Sequence, residues 1–196
     1  SGVARQNQCN KNKFGISIIQ QAQPILESNH CLENGHTGIV YNDTASGFAR
    51  QNTCNLNAVN GIGVDDQAQP QLERNICQKN RSCGIIFSGT LGGKAFENTC
   101  NQNGQYGIGI MDRSQPVLQE NSCQENKYDG ICYQDNALGT ARKNSCIGND
   151  RDGISVTGQA QPALEGNICQ DNKADGIAFW GDSAGVVRAN ICNRNS

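Results

Sequence analysis

The chain has 196 residues, with 16 Lys and Arg against 18 Asp and Glu, a formal charge of −2. That balance gives no electrostatic footprint for nucleic acid or an anionic membrane, and no apolar run approaches the roughly 20 residues of a membrane-spanning helix, so neither partner is expected. Glycine is frequent (23), and Leu and Ala do not fall at helical spacing, which argues against long amphipathic helices.

Internal periodicity dominates everything else. The motif Asn-x-Cys-x-x-Asn occurs nine times, with cysteines at 9, 31, 54, 77, 100, 123, 146, 169 and 192; the first spacing is 22 and the other seven are 23. Gly-Ile occurs eight times, from Gly15-Ile16 to Gly176-Ile177. Ser1 already falls inside a repeat, so no leader peptide is read, and residues 1–196 are expected to form a single repeat domain cut from a larger protein.

Each unit is too short for a βαβ crossover and carries three apolar-alternating stretches between Gly, Asn, Asp, Pro or Ser. The first is Gly-Ile-x-Φ, as in Gly61-Ile62-Gly63-Val64. The second centres on Leu72 in one coil and Ala95 in the next, and the third carries the cysteine. Three short strands and three turns per unit predict an all-β fold, a right-handed, single-stranded parallel β-helix of about eight to nine coils. At roughly 4.8 Å per coil the rod is about 40 Å long.

Residues 23 apart then form lines along the rod. Alternation points the Ile, the Φ residue and the Cys inward. Pro24, Pro70, Pro116 and Pro162 alternate with Gly47, Gly93, Gly139 and Gly185, giving a 46-residue superperiod. Another column reads Arg5, Glu27, Arg50, Glu73, Phe96, Gln119, Arg142, Glu165, Arg188, a charge ladder that fixes register. The Asn columns are expected to supply left-handed turn residues and amide ladders.

The composite pattern Asn-x-Cys-x-x-Asn-x-x-x-Gly-Ile-x-Φ-x-x-x-Ala-x-Pro-x-Leu-x-x-Asn resembles the parallel β-helix repeats of the carbohydrate-binding and sugar-hydrolase, pectate-lyase-like superfamily. Similar repeats occur in pectate-lyase-like enzymes, mannuronan epimerases and F-box-only ubiquitin ligases. The Ala-Gln-Pro-x-Leu version (Ala22–Leu26, Ala68–Leu72, Ala160–Leu164) looks closest to the non-catalytic group. The resemblance spans the whole chain and implies a fold, while function depends on the site.

Enzymes of that superfamily work on the outer face of one parallel sheet. There Asp43, Asp66, Asp112 and Asp135 share a column with Gly89, Gly158 and Gly181, an interchange that indicates turn chemistry. Asp129, Asp152 and Asp175 precede Gly-Ile in three consecutive coils and should stack about 5 Å apart, a carboxylate set that Ca²⁺ would relieve. The alternative is three solvated turn aspartates, and the column's other residues (Phe14, Thr37, Asn60, Cys83, Tyr106) favour it. Ile86, Met111 and Trp180 are expected on the outer face as apolar or sugar-stacking binding residues. Cys132 should also face outward, and unpaired exposed thiols favour a reducing, cytoplasmic setting. The cysteine column offers one side chain per coil, which gives no tetrahedral metal set.

Two functions remain. One is a non-catalytic binding or scaffold module presenting a rigid surface to a protein or polysaccharide. The other is a polysaccharide lyase or epimerase. Identical spacing in seven of eight repeats leaves no inserted loops to wall an active-site cleft, and no His, Lys or Arg recurs in the repeat phase near the turn aspartates to act as base, so the binding module is favoured and no catalytic residue is assigned. Open coil ends expose unpaired backbone groups, so end-to-end self-association is expected.

Overall fold

The computed structural model describes residues 2–196, and every regular element among them is a β-strand. The strands fall into three parallel sheets. A nine-stranded sheet runs from Val3–Arg5 to Val186–Arg188, and an eight-stranded sheet holds the Gly-Ile strands from Ile16–Ile18 to Ile177–Phe179. The third sheet carries the cysteines. Its last four coils form strands, from Ser122–Gln124 to Ile191–Asn193, and its earlier coils are joined by single bridges, Gln8 to His30 to Thr53 to Ile76 to Thr99 to Ser122.

Register follows the repeat. Ile62 pairs with Ile85, Leu72 with Ala95, and Cys123 with Cys146. Each sequence column is therefore a line along the rod axis. The Ile, Φ, Ala/Leu and Cys columns fill the interior, with Tyr41, Phe87 and Tyr133 as its largest side chains.

Each coil turns three times. At each corner one residue has positive φ, either closing a strand or just past it: the column Asp43, Asp66, Gly89, Asp112; the column Ser28, Gln51, Arg74, Glu97; and the column Glu33, Leu56, Lys79, Gln102. The asparagines expected to take this conformation do not. The residue before each of them does, and the Asn instead uses its amide. In one ladder the Asn75 backbone N–H and Nδ2 both donate to Oδ1 of Asn98, at 3.0 Å each, and Asn98 Nδ2 donates to the Leu72 carbonyl at 2.9 Å. The same pattern repeats from Asn29 to Asn167, and a second ladder runs through Asn34, Asn57, Asn80 and onward to Asn172. Every one of these amides is buried. A buried amide with all its groups bonded converts a desolvation cost of about 1–3 kcal/mol per orphaned group into cross-coil cohesion.

The glycine of Gly-Ile is dictated by close approach. A Cβ at Gly61 would lie 2.6 Å from the Gly84 carbonyl oxygen and 2.8 Å from Cys77 Cβ. Outside, the charge ladder forms ion pairs: Glu27 bridges Arg5 and Arg50, and Arg142 pairs with Glu165. These pairs are largely exposed and contribute a few tenths of a kcal/mol each to register.

Candidate functional site

The eight-stranded sheet presents four outer columns. Immediately before the glycines stand Cys83, Tyr106, Asp129, Asp152 and Asp175; within the strands stand Ile86, Gly109, Cys132, Ser155 and Ala178. Beyond them come Met111, Gln134, Thr157 and Trp180, and then the Asp/Gly turn column.

The outer face is more tightly packed than alternation implies. Ile86 points outward but is only 8% exposed, because it lies over the next coil's Gly109: a Cβ built there would meet Ile86 Cδ1 at 2.6 Å. Val40 Cγ2 also lies over Gly63, in ordinary contact at 3.7 Å from where a Cβ would stand. Large and small residues thus alternate up the column from Ser17 to Gly109, and small residues follow at Cys132, Ser155 and Ala178. Cys132, expected to be exposed, is 1% exposed. Ser155, Tyr106 and Gln134 surround its thiol, and burial pushes its pKa up to about 12. Met111 is half-buried, and Trp180 is 57% exposed. Of the three residues expected to bind, the structure offers Trp180 fully, Met111 partly, and Ile86 scarcely at all.

The three aspartates form a ladder of their own. Asp129 Oδ1 accepts the Asp152 backbone N–H at 3.0 Å, and Asp152 Oδ1 accepts that of Asp175 at 2.8 Å. Ser155 Oγ donates to Asp129 Oδ2 at 2.7 Å. Asp129 and Asp152 are 5% and 7% exposed, whereas Asp175 is open to solvent. Backbone donors from the coil above therefore offset the stacked negative charge. Burial raises the Asp152 pKa, and its charged neighbours Asp129 and Asp175 add to that. The turn column uses the same device: Asp43 Oδ2 accepts the Gln20 N–H and Asp135 Oδ2 that of Asp112, which supports the turn role read from its Asp/Gly interchange. Among the described residues, no group of three or more His, Cys, Asp and Glu is arranged to hold a metal ion.

Tyr106 was undistinguished in the sequence. Its Oη accepts a hydrogen bond from Gln134 Nε2 at 3.0 Å, and its ring packs edge-on against Tyr128, which in turn lies under the Arg151 guanidinium. The only signal for it was its place in the column that later becomes Asp129 and Asp152.

Charge is distributed unevenly around the rod. The Gly-Ile strands and their following turns carry Asp43, Asp65, Asp66, Asp112 and Asp135. To these the flanking positions add Asp129, Asp152, Asp175 and Asp182, while Arg113 is the one cation in the same segments. Nine of the chain's 18 acidic side chains thus lie in these strands, their turns or the positions just before the glycines, against Arg113 in the same segments and Arg151 at their edge, stacked on Tyr128. Asp65, partly buried beside Asp66 and Asp112, has its pKa raised to about 6, first by burial and then by those two charges.

These features match known proteins as follows. Residues 61–196 match the model of the right-handed β-helix region, and residues 1–115 match that of the periplasmic copper-binding protein NosD. No curated protein matches the sequence. The crystal structure of the periplasmic alginate epimerase AlgG is 16% identical and superposes with a TM-score of 0.86, covering 91% of this chain and 47% of that one. A double mutant of that enzyme gives 0.81 at 15% identity, covering 94% and 50%. This chain spans about half the length of the solved structures it matches, and identity this low carries the fold alone. The matches to periplasmic proteins overturn the cytoplasmic expectation. That expectation rested on exposed thiols, and the structure buries Cys83 and Cys132. By its coils, its ladders and its family match, the chain belongs to the right-handed β-helix family.

Proposed function

We propose that this chain is a non-catalytic binding module, periplasmic like its relatives, whose acidic eight-stranded sheet takes a neutral or cationic glycan. The observation that carries the reading is the one-sided charge. A face with nine carboxylates against Arg113 and, at its edge, Arg151 repels a polyuronate, the substrate type of the alginate epimerase. Proton abstraction next to a uronate carboxyl needs a base and a cation to neutralise the developing charge. Here the Asp129 and Asp152 carboxylates each accept a backbone N–H, Asp129 also accepts the Ser155 hydroxyl, Asp175 stands in solvent with no cation paired to it among the described residues, and Cys132 is a buried, protonated thiol. Trp180, exposed at one end of the face, supplies a stacking platform for a sugar ring.

Binding to immobilised polysaccharides of each charge class tests this. Retention on neutral or amino-sugar polymers, weakened for the amino-sugar polymer by salt and for both by Trp180→Ala, is expected. Preferential retention on alginate or pectate, or release of unsaturated uronate from either, refutes it, and capture of protein ligands alone refutes the glycan assignment.

The copper in the name of the second matching family would be held by thiolates as Cu(I), or by imidazoles. The two histidines, His30 and His36, lie in the first coils, whereas thiols run through the whole rod. The donor set present therefore fits a thiolate-bound ion better than an imidazole-bound one.

A further inference from the structure

Nine cysteines occupy one interior line. Cys31, Cys54, Cys77, Cys100, Cys123, Cys146 and Cys169 are fully buried, and Cys9 and Cys192 continue the line toward the two ends. The paired strands set Cys123, Cys146, Cys169 and Cys192 directly over one another, and the bridges one residue earlier hold the preceding coils in the same register. Each thiol faces the thiol of the coil above and below. All are free.

A line of single donors gives no tetrahedral set, but it does give opposed pairs. Metal–sulfur bonds are about 2.3 Å, so two sulfurs across one linear ion stand about 4.6 Å apart. Adjacent strands are spaced by about 4.8 Å. Soft thiolates select soft, low-valent ions such as Cu(I), and Ag(I) shares that chemistry.

A second observation points to the same place. Tyr41 Oη and Tyr133 Oη are buried with no hydrogen-bond partner, although buried hydroxyls are normally bonded. Each lies near the column, Tyr41 by Cys54 and Tyr133 by Cys146. A phenolic O–H donates well to a metal-bound thiolate sulfur and poorly to a thiol.

We propose that the buried cysteine column is a binding line for thiophilic monovalent cations, each held linearly between the sulfurs of successive coils. For each ion taken up, one S–H bond breaks and its proton leaves to solvent. One S–M bond forms in its place, and a lone pair of the neighbouring sulfur makes the second bond. No electron is transferred. A univalent ion replaces a univalent proton, so the core stays neutral and avoids the desolvation cost of burying net charge. The glycan reading uses the outer face only, so each can fail without the other.

The full chain, reduced and kept anaerobic, is titrated with Ag(I) and with Cu(I), both after folding and during refolding from urea. Expected are several ions per chain after desalting, one proton released per ion, and an absorption fine structure with two sulfur neighbours. Cys100→Ala removes a sulfur shared by two ions and lowers the stoichiometry by two. Cys83→Ala and Cys132→Ala, off the line, leave it unchanged and show that lost binding is not lost folding. No retained ion under either loading, three or more sulfurs per ion, or binding that depends on Cys83 or Cys132 instead of Cys100 overturns the proposal.

Discussion

Asn98→Ala isolates the amide ladder. Asn98 is fully buried in the middle of the rod. Its Oδ1 is the acceptor for the Asn75 backbone N–H, and its Nδ2 bonds the Leu72 carbonyl and Oδ1 of Asn121. Truncation orphans the Asn75 N–H and removes the second donor of the Leu72 carbonyl, which keeps its ladder bond to the Lys94–Phe96 strand. Asn75 Nδ2 keeps the Ala49 carbonyl, and Asn121 Oδ1 keeps the residue-98 backbone N–H. One orphaned buried N–H at about 1–3 kcal/mol and one lost amide bond at about 1 kcal/mol give a loss near 3 kcal/mol. Asn7→Ala is the control: its exposed amide donates to Asn29 Oδ1, which retains the Asn7 backbone N–H, so the loss is under about 1 kcal/mol. Urea denaturation followed by circular dichroism measures both. Repeat proteins unfold by segments, so hydrogen exchange of the amides near Asn75 locates the effect. If Asn98→Ala costs no more than Asn7→Ala, the ladder does not hold the coils together and the account of the corners is wrong.

Gly61→Ala and Gly109→Ala separate two kinds of glycine. The first meets backbone and Cys77 and should cost about 3 kcal/mol or more, while the second meets only the movable Ile86 Cδ1, should cost about 1 kcal/mol, and should be relieved by Ile86→Ala; thermal melts of the three variants check this, and equal losses contradict it. Because the Asp65 pKa is raised to about 6 from a value near 3.8, its contribution to stability is full below pH 4 and is lost as pH rises through 6. Asp65→Asn should therefore be more stable than the parent at pH 7 and lose that advantage below pH 4, and a pH-independent difference in unfolding midpoint rejects the cause. A thiol reagent followed by mass mapping should label Cys192 first and Cys9 next in the native state, and the other nine cysteines only on unfolding; rapid native labelling of Cys132 contradicts its burial.

The architecture was readable because the repeat makes each column a physical line. Cys123 and Cys146, or Ile62 and Ile85, need no side-chain detail to be placed over one another. What lay on the outer face was less readable. Period-two alternation tells which way Ile86 and Cys132 point, but not that Gly109 leaves room for one or that Tyr106, Ser155 and Gln134 close over the other. Those covers depend on side-chain tilt between coils, which a one-dimensional pattern does not encode. The compartment was misread from the same missing information. The carboxylate column at Asp129, Asp152 and Asp175 was seen, but the backbone N–H groups that stabilise it come from register one coil up.

The direction of the hydrogen bonds has a mechanical consequence. Strands run around the rod and their bonds run along it, so the backbone bonds and both Asn ladders point from coil to coil. A load applied between the two ends strains these contacts one layer after another, as in a zipper. The rod should yield at modest force by peeling, each event paying out one 23-residue coil, about 75–80 Å of chain. A load applied across the rod is shared by many layers and meets far greater resistance, which makes this a spacer that is stiff sideways and extensible lengthwise.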